Sequence, residues 1–197
     1  EYRLPNIHCR HFCIPLLSDA ERQDAVASIP GLLEIFKEGT VAFQELLRTP
    51  FNLWLMEQLI SSNVHHDDLS QVESEVGLLG LFWAKRVAQG PQGETRQVLV
   101  TKVARKMVES YSLTVRKEIV FDPISSLIWQ ELMSAGVFID VGATAQKVSF
   151  GHNILFDYAV SILIIGDKPE ELVTFLQADK SRPLFLRPSL NYYFTRL

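Results

Sequence analysis

Histidine, cysteine and acidic side chains come first, because few other groups bind metals or move protons near neutral pH. His8, Cys9, His11 and Cys13 have the residue types of a zinc site. Their spacing argues against one. The segment reads as a strand, where residues two apart stand about 6.6 Å from each other. Zinc holds its ligands at about 2.0–2.3 Å, so one extended segment does not wrap the ion, and buried strand residues are the expectation. His65-His66-Asp67-Asp68 reads as part of an exposed loop over residues 63–70. Ser149, His152 and Asp157 have the types of a hydrolase triad, but His152 and Asp157 fall five apart on one helix and point about 140° apart. Nothing nearby supplies an oxyanion hole. No catalytic set and no metal site is expected. The chain also has no Gly-x-x-x-x-Gly-Lys-Ser/Thr and no strand ending in an acidic pair. By itself it therefore lacks the phosphate cradle and magnesium ligands of an NTPase.

Two further residues stand at positions that matter to a backbone. Thr49-Pro50 places a cap before a proline at the first helical position, where its missing N–H costs nothing. His152-Asn153 opens a helix. Those local roles account for Pro50 and His152 when each is taken alone.

The elements that position them follow from caps and periodicity. Residues 4–16 read as a strand stopped by Pro15. Ser18-Asp19-Ala20-Glu21 fits a capping box that opens a helix to Ser28. Short helices follow over Leu32–Lys37 and from Thr40 through Arg48. From Pro50, Leu53, Met56 and Ile60 recur on one helical face. Ser70-Gln71-Val72-Glu73 fits a second capping box and predicts a helix to Ala88. Gly90-Pro91-Gln92-Gly93 is a turn. A helix over 95–111 puts Leu99, Val103, Met107 and Ser110 on one face. Residues 113–121 alternate loosely, as a short strand would. Asp122-Pro123 caps a helix to Ala135, stopped by Gly136. Val137–Val141 and Gln146–Phe150 form a hairpin. A helix to Ile165 is apolar all round except for Asn153, Asp157 and Ser161, so it belongs in the interior or at an interface. Two more helices follow Pro169 and Pro188. The fold class is mainly α, with helix, helix and hairpin in the order of a winged helix.

Composition agrees with a globular chain. Apolar residues make up 47% and charged residues 21% of 197, enough for a core and unlike disorder. The net charge of −4 argues against a dedicated nucleic-acid binder. The recognition-helix candidate 123–135 agrees, since it holds no Lys or Arg and carries Glu131. Two cysteines are too few for a disulfide framework and point to a reducing, cytoplasmic home. The longest apolar run, Ile154–Ile165, falls short of the ~20 residues of a membrane span. Arg105-Lys106 and Arg116-Lys117 read as solvated faces. The chain opens on Glu1 rather than Met, and Leu190, Tyr193, Phe194 and Leu197 of the last helix have nothing after them to cover them. It reads as a piece of a longer protein.

The order of segments resembles the C-terminal part of NACHT-type signal-transduction ATPases, the STAND class. Leu46-Leu47-Arg48-Thr49-Pro50-Phe51-Asn52-Leu53 resembles the "leu-leu-x-x-Pro-leu-x-leu" segment of their helical lid. Leu81-Phe82-Trp83 resembles the opening of their winged-helix domain, and Leu132 to Phe138 resembles "L-x-x-sgil". Val148-Ser149-Phe150-Gly151-His152 and the residues through Ala159 resemble "F-x-H-x-x-x-x-E-[YF]-x-A". Ile14 to Glu21 resembles the stretch leaving the last core strand, "I-x-pLs-x-x-E". The likeness spans about residues 10–165. Asp157 stands where the family often has Glu, and the Met-His-Asp form of plant and apoptotic relatives is absent.

The resemblance implies a division into 1–17 (end of the nucleotide-binding sheet), 18–62 (helical lid), 63–166 (winged-helix-like domain) and 167–197 (start of a further helical region). It implies a switch driven by ATP and ADP, with Pro50 packing on the adenine and His152 contacting the β-phosphate of ADP. Walker motifs and magnesium ligands would belong to the core of the same parent chain. Partners would be that core and other proteins or copies in an assembly, with no nucleic acid and no membrane. The alternative is a helical protein-interaction module that shares the architecture and has no nucleotide role.

Overall fold

The first helix begins where its sequence says it should. Ser18 Oγ accepts from the Glu21 N–H at 3.3 Å, and the Glu21 carboxylate accepts from the Ser18 N–H at 2.8 Å. These satisfy two of the free donors at the helix start, and α1 (Asp19–Ser28) follows. The computed structural model describes residues 15–166 and 169–197. The strand expected over residues 4–16 lies almost wholly outside them, as do His8, Cys9, His11 and Cys13.

Four helices form the N-terminal bundle: α1, α2 (Leu32–Glu38), α3 (Val41–Leu46) and α4 (Pro50–Ile60). Thr40 Oγ1 caps α3 by accepting from Phe43 N–H at 3.1 Å. This helix stops at Leu46 rather than Arg48, and Arg48 is used elsewhere. Its guanidinium bonds Asp19 at 2.6 Å, Glu45 at 2.7 Å and the Leu17 carbonyl at 2.9 Å. Arg22, largely buried, adds Glu45 at 3.0 Å and Asp19 at 2.9 Å. The corner between α3 and α4 is thereby tied to the start of α1. The Arg48 hydrogen bond holds the Glu45 carboxyl below its usual range.

Two expectations fail next. The loop over residues 63–70 contains a helical turn, α5 (His66–Ser70), and His66 Nδ1 lies 3.3 Å from Glu38 Oε2. Ser70 is not a cap. It is buried, and its hydroxyl donates to the Asp67 carbonyl at 3.2 Å. Ser74 caps instead, accepting from Gly77 N–H at 3.1 Å, and α6 spans Glu75–Trp83. A π-helical turn, Ala84–Ala88, carries the helix to its expected end.

The central helix α7 (Gly93–Glu109) buries Leu99, Val100, Val103, Ala104, Met107 and Val108. The strand expected over 113–121 is short, β1 (Val115–Arg116), and α8 (Lys117–Val120) replaces its second half. Asp122 Oδ1 accepts from Ile124 N–H at 3.0 Å before a 3-10 turn and α9 (Ser126–Ser134). The hairpin β2 (Phe138–Val141) and β3 (Lys147–Phe150) is antiparallel, and β1 joins β3, giving the order β1-β3-β2. Helix, strand, two helices and a hairpin whose second strand takes in the first make a winged-helix-like unit. From there α10 (Asn153–Val160) enters the interior, continues as a π-helical turn (Ser161–Ile165), and packs against α7. Three helices end the chain: α11 (Pro169–Gln177), α12 (Arg182–Phe185) and α13 (Arg187–Arg196). Tyr193 is buried as α13 covers α10, whereas Phe194 and Leu197 remain exposed. One apolar core runs from Val26 in α1 to Tyr193 in α13. Among the described residues no helix is long and apolar enough to cross a membrane.

Candidate functional site

Pro50 stands first in α4 with its ring exposed. Thr49 precedes it with the extended backbone of a cap but makes no side-chain cap bond. Its carbonyl accepts from Asn52 N–H at 2.9 Å and Leu53 N–H at 3.2 Å. Asn52 is buried, and its Nδ2 donates to the Leu46 carbonyl at 2.9 Å. That bond clips the corner before Pro50 from the inside.

His152 is set by the hairpin. Gly151 N–H donates to the Val137 carbonyl at 2.9 Å. A Cβ at Gly151 would lie 2.1 Å from the Gly136 carbonyl oxygen, so only glycine lets the hairpin close this tightly. The chain then turns, and His152 becomes the N-cap of α10. Its Nδ1 accepts from Ile154 N–H at 3.2 Å. An acceptor nitrogen carries no proton, so the hydrogen of the neutral ring sits on Nε2. Burial pushes the His152 pKa down, and the Glu75 carboxylate works against that shift.

The residue after Pro50 joins the two positions. Phe51 is buried, and its ring stacks on His152 with centroids 4.1 Å apart and planes 24° apart. Phe51 also stacks on Trp54 at 5.7 Å, and Trp54 meets Phe82 of α6 at 5.7 Å. Trp54 lies over Gly136, where an added Cβ would sit 2.7 Å from the indole. The start of α4, the base of the hairpin and the start of α10 thus form one packed group, with His152 exposed at its edge.

A second set of polar contacts approaches from α13. Tyr192 donates its hydroxyl to Glu75, in the first turn of α6. Burial raises the Tyr192 pKa far above its usual value, and the Glu75 bond adds to that. Asp157 accepts from the buried Ser189 hydroxyl at 2.8 Å. Burial pushes the Asp157 carboxyl up, partly offset by Ser189. In this chain the position where the resemblance places Glu is a link between α10 and α13.

The structure does not assemble the triad types. Ser149 Oγ donates to the Leu113 carbonyl at 2.8 Å, Asp157 faces Ser189, and His152 caps its own helix. Among the described residues no group of His, Cys, Asp and Glu is placed to hold a metal ion. Phe51 and Glu75 are the residues that sequence reading passed over. Phe51 stood in plain view beside Pro50, but an aromatic there reads as core. Glu75 gave no signal, because its closeness to His152 and Tyr192 comes only with the fold. No protein family matches this chain, and no curated protein or solved structure shows significant similarity to it.

Proposed function

We propose that this chain is the regulatory lid and winged-helix portion of an ATP/ADP-switched signal-transduction ATPase of the NACHT/STAND type. It closes over a nucleotide held by the core of the same parent chain and does no catalysis alone. The observation that carries the reading is the Phe51–His152 stack. It ties the helix that Pro50 opens to the imidazole at the start of α10. Pro50 packs on the adenine. His152, with Nδ1 engaged by its own backbone, offers Nε2–H to the β-phosphate of ADP. The positive end of the α10 dipole favours the same anion. Both residues are exposed, as they must be if the remaining walls of the site come from the core. That core also brings the Walker motifs and the magnesium ligands, and the cytoplasm is the compartment that supplies its nucleotides.

Losing a hydrogen bond to a charged phosphate costs about 1.5–3 kcal/mol, which shifts a two-state equilibrium by about one or two powers of ten. The test is the nucleotide content of the intact parent, extracted after denaturation and quantified by chromatography. Near-stoichiometric ADP is expected, and His152→Ala should lower its retention and raise basal activation. An unchanged ADP affinity in that variant sinks the reading.

A second reading has one observation in its favour. Ile124, in the 3-10 turn before α9, and Leu127, in the first turn of α9, are 94% and 61% exposed, as on a protein-interaction module. A parent that purifies empty and fails to bind added ADP or ATP would favour it. In that case His152→Ala costs stability alone.

A further inference from the structure

One residue from each of the two basic dipeptides that read as solvated faces, Lys106 and Arg116, lines the same cavity as Lys147. Lys106 lies in the last turn of α7, Arg116 in β1 and Lys147 at the start of β3. The β1–β3 pairing sets Arg116 directly opposite Lys147. Like charges in that position destabilise a sheet, so the pair calls for an explanation beyond folding. Beside it lies that cavity, of about 410 Å³, whose lining includes Lys106, Glu109, Ser112, Thr114, Arg116, Ile119 and Lys147. That volume is within the range of small-molecule sites.

The charges do not cancel. Glu109 pairs with Lys106 at 2.7 Å and Glu118 with Arg116 at 2.9 Å. Among the described residues no carboxylate lies within ion-pair distance of Lys147. The lining therefore keeps one cation beyond its paired charges, Lys147, in a chain whose net charge is −4. The hydroxyls of Ser112 and Thr114 stand 3.4 Å apart on the same wall, and Ile119, 42% exposed, gives it an apolar side.

We infer that this cavity binds a small phosphomonoester. The phosphoryl group lies between Arg116, Lys147 and the hydroxyls of Ser112 and Thr114, and a compact apolar group rests on Ile119. Lys147, the Arg116 guanidinium shared with Glu118, and the hydroxyl of the Ser112–Thr114 pair left free to donate offer more donors than a single carboxylate takes, and a phosphoryl group has three oxygens to accept them. None of the lining residues belongs to the Phe51–His152 group, so this site stands or falls apart from the nucleotide reading.

Phenyl phosphate is the probe, titrated into the full chain while backbone amide resonances are followed. Saturable shifts are expected over residues 112–116 and at Lys147, and they should weaken as salt is added. Lys147→Glu should lower the affinity by about tenfold or more. The same substitution should raise the thermal midpoint, because an acid then faces Arg116. Lys147→Arg should keep binding. The absence of saturable shifts overturns the assignment, as does an affinity unchanged by Lys147→Glu. A fall of both binding and midpoint overturns it too, since Lys147 would then be structural. Tighter binding of duplex DNA at the same residues would replace the small molecule with a polyanion and overturn it equally.

Discussion

His152 shows how one side chain can hold two roles with its two nitrogens. Nδ1 belongs to the fold and Nε2 to the surface. His152→Asn keeps a good capping oxygen and loses the stack on Phe51, whereas His152→Ala loses both. A lost cap costs about 0.5–2 kcal/mol and a lost ring pair about 0.5–1.5 kcal/mol. Urea denaturation should therefore rank wild type above Asn and Asn above Ala. The cap also has a pH dependence with a definite sign. Burial lowers the folded pKa of His152, so the unfolded chain takes up the proton more readily. Its stabilising contribution is full above the ordinary histidine value of about 6.5 and is lost as the pH falls through the lower folded value. Denaturation midpoints across that window should fall for wild type and stay flatter for His152→Asn. Parallel curves would remove the cap from the argument. At this scale sequence was a partial guide. Pro50 and His152 were legible because each opens a helix, a local property. Phe51 and Glu75 were not, because their roles depend on partners distant in the chain.

Elements were legible where their ends are set locally. Ser18 and Glu21 formed the expected box because both partners lie within one turn. Ser70-Gln71-Val72-Glu73 predicted the start of the next helix, and the cap is Ser74, four residues further on. Burial decided between them: Ser70 points inward at the end of α5, and Ser74 keeps the extended backbone of a cap. The strand over 113–121 shrank for a similar reason. Its second half turns into α8 and buries Val120 beneath α7. The junction of α4 with the hairpin makes its own prediction. Gly136 and Gly142 both have positive φ, +69° and +91°, but only Gly136 lies under Trp54. Alanine at either position meets backbone strain of about 1–3 kcal/mol. At Gly136 it also meets the indole, so Gly136→Ala should lower the thermal midpoint clearly more than Gly142→Ala. Equal losses would mean that Trp54 moves aside freely and that α4 is held loosely on the hairpin.

At the scale of the molecule, the described residues pack around one continuous core. Such a core predicts a single cooperative transition. Trp54, Trp83 and Trp129 sit in α4, α6 and α9, so fluorescence of single-tryptophan variants should share a midpoint with the loss of helical circular dichroism. Separated midpoints would divide the chain into independent units. The π-helical turns at Ala84–Ala88 and Ser161–Ile165 both pack against α7, and each holds one residue more than an α-helical turn needs. A π turn advances the chain by less than the about 100° per residue of an α-helix, so the extra residue is absorbed within the turn. Val87 in the first turn and Ile165 in the second stay buried. The extra residue in each turn is thus an angular slack, and a single deletion there should be borne better than one in the α-helical stretch just before it, where nothing absorbs the lost rotation.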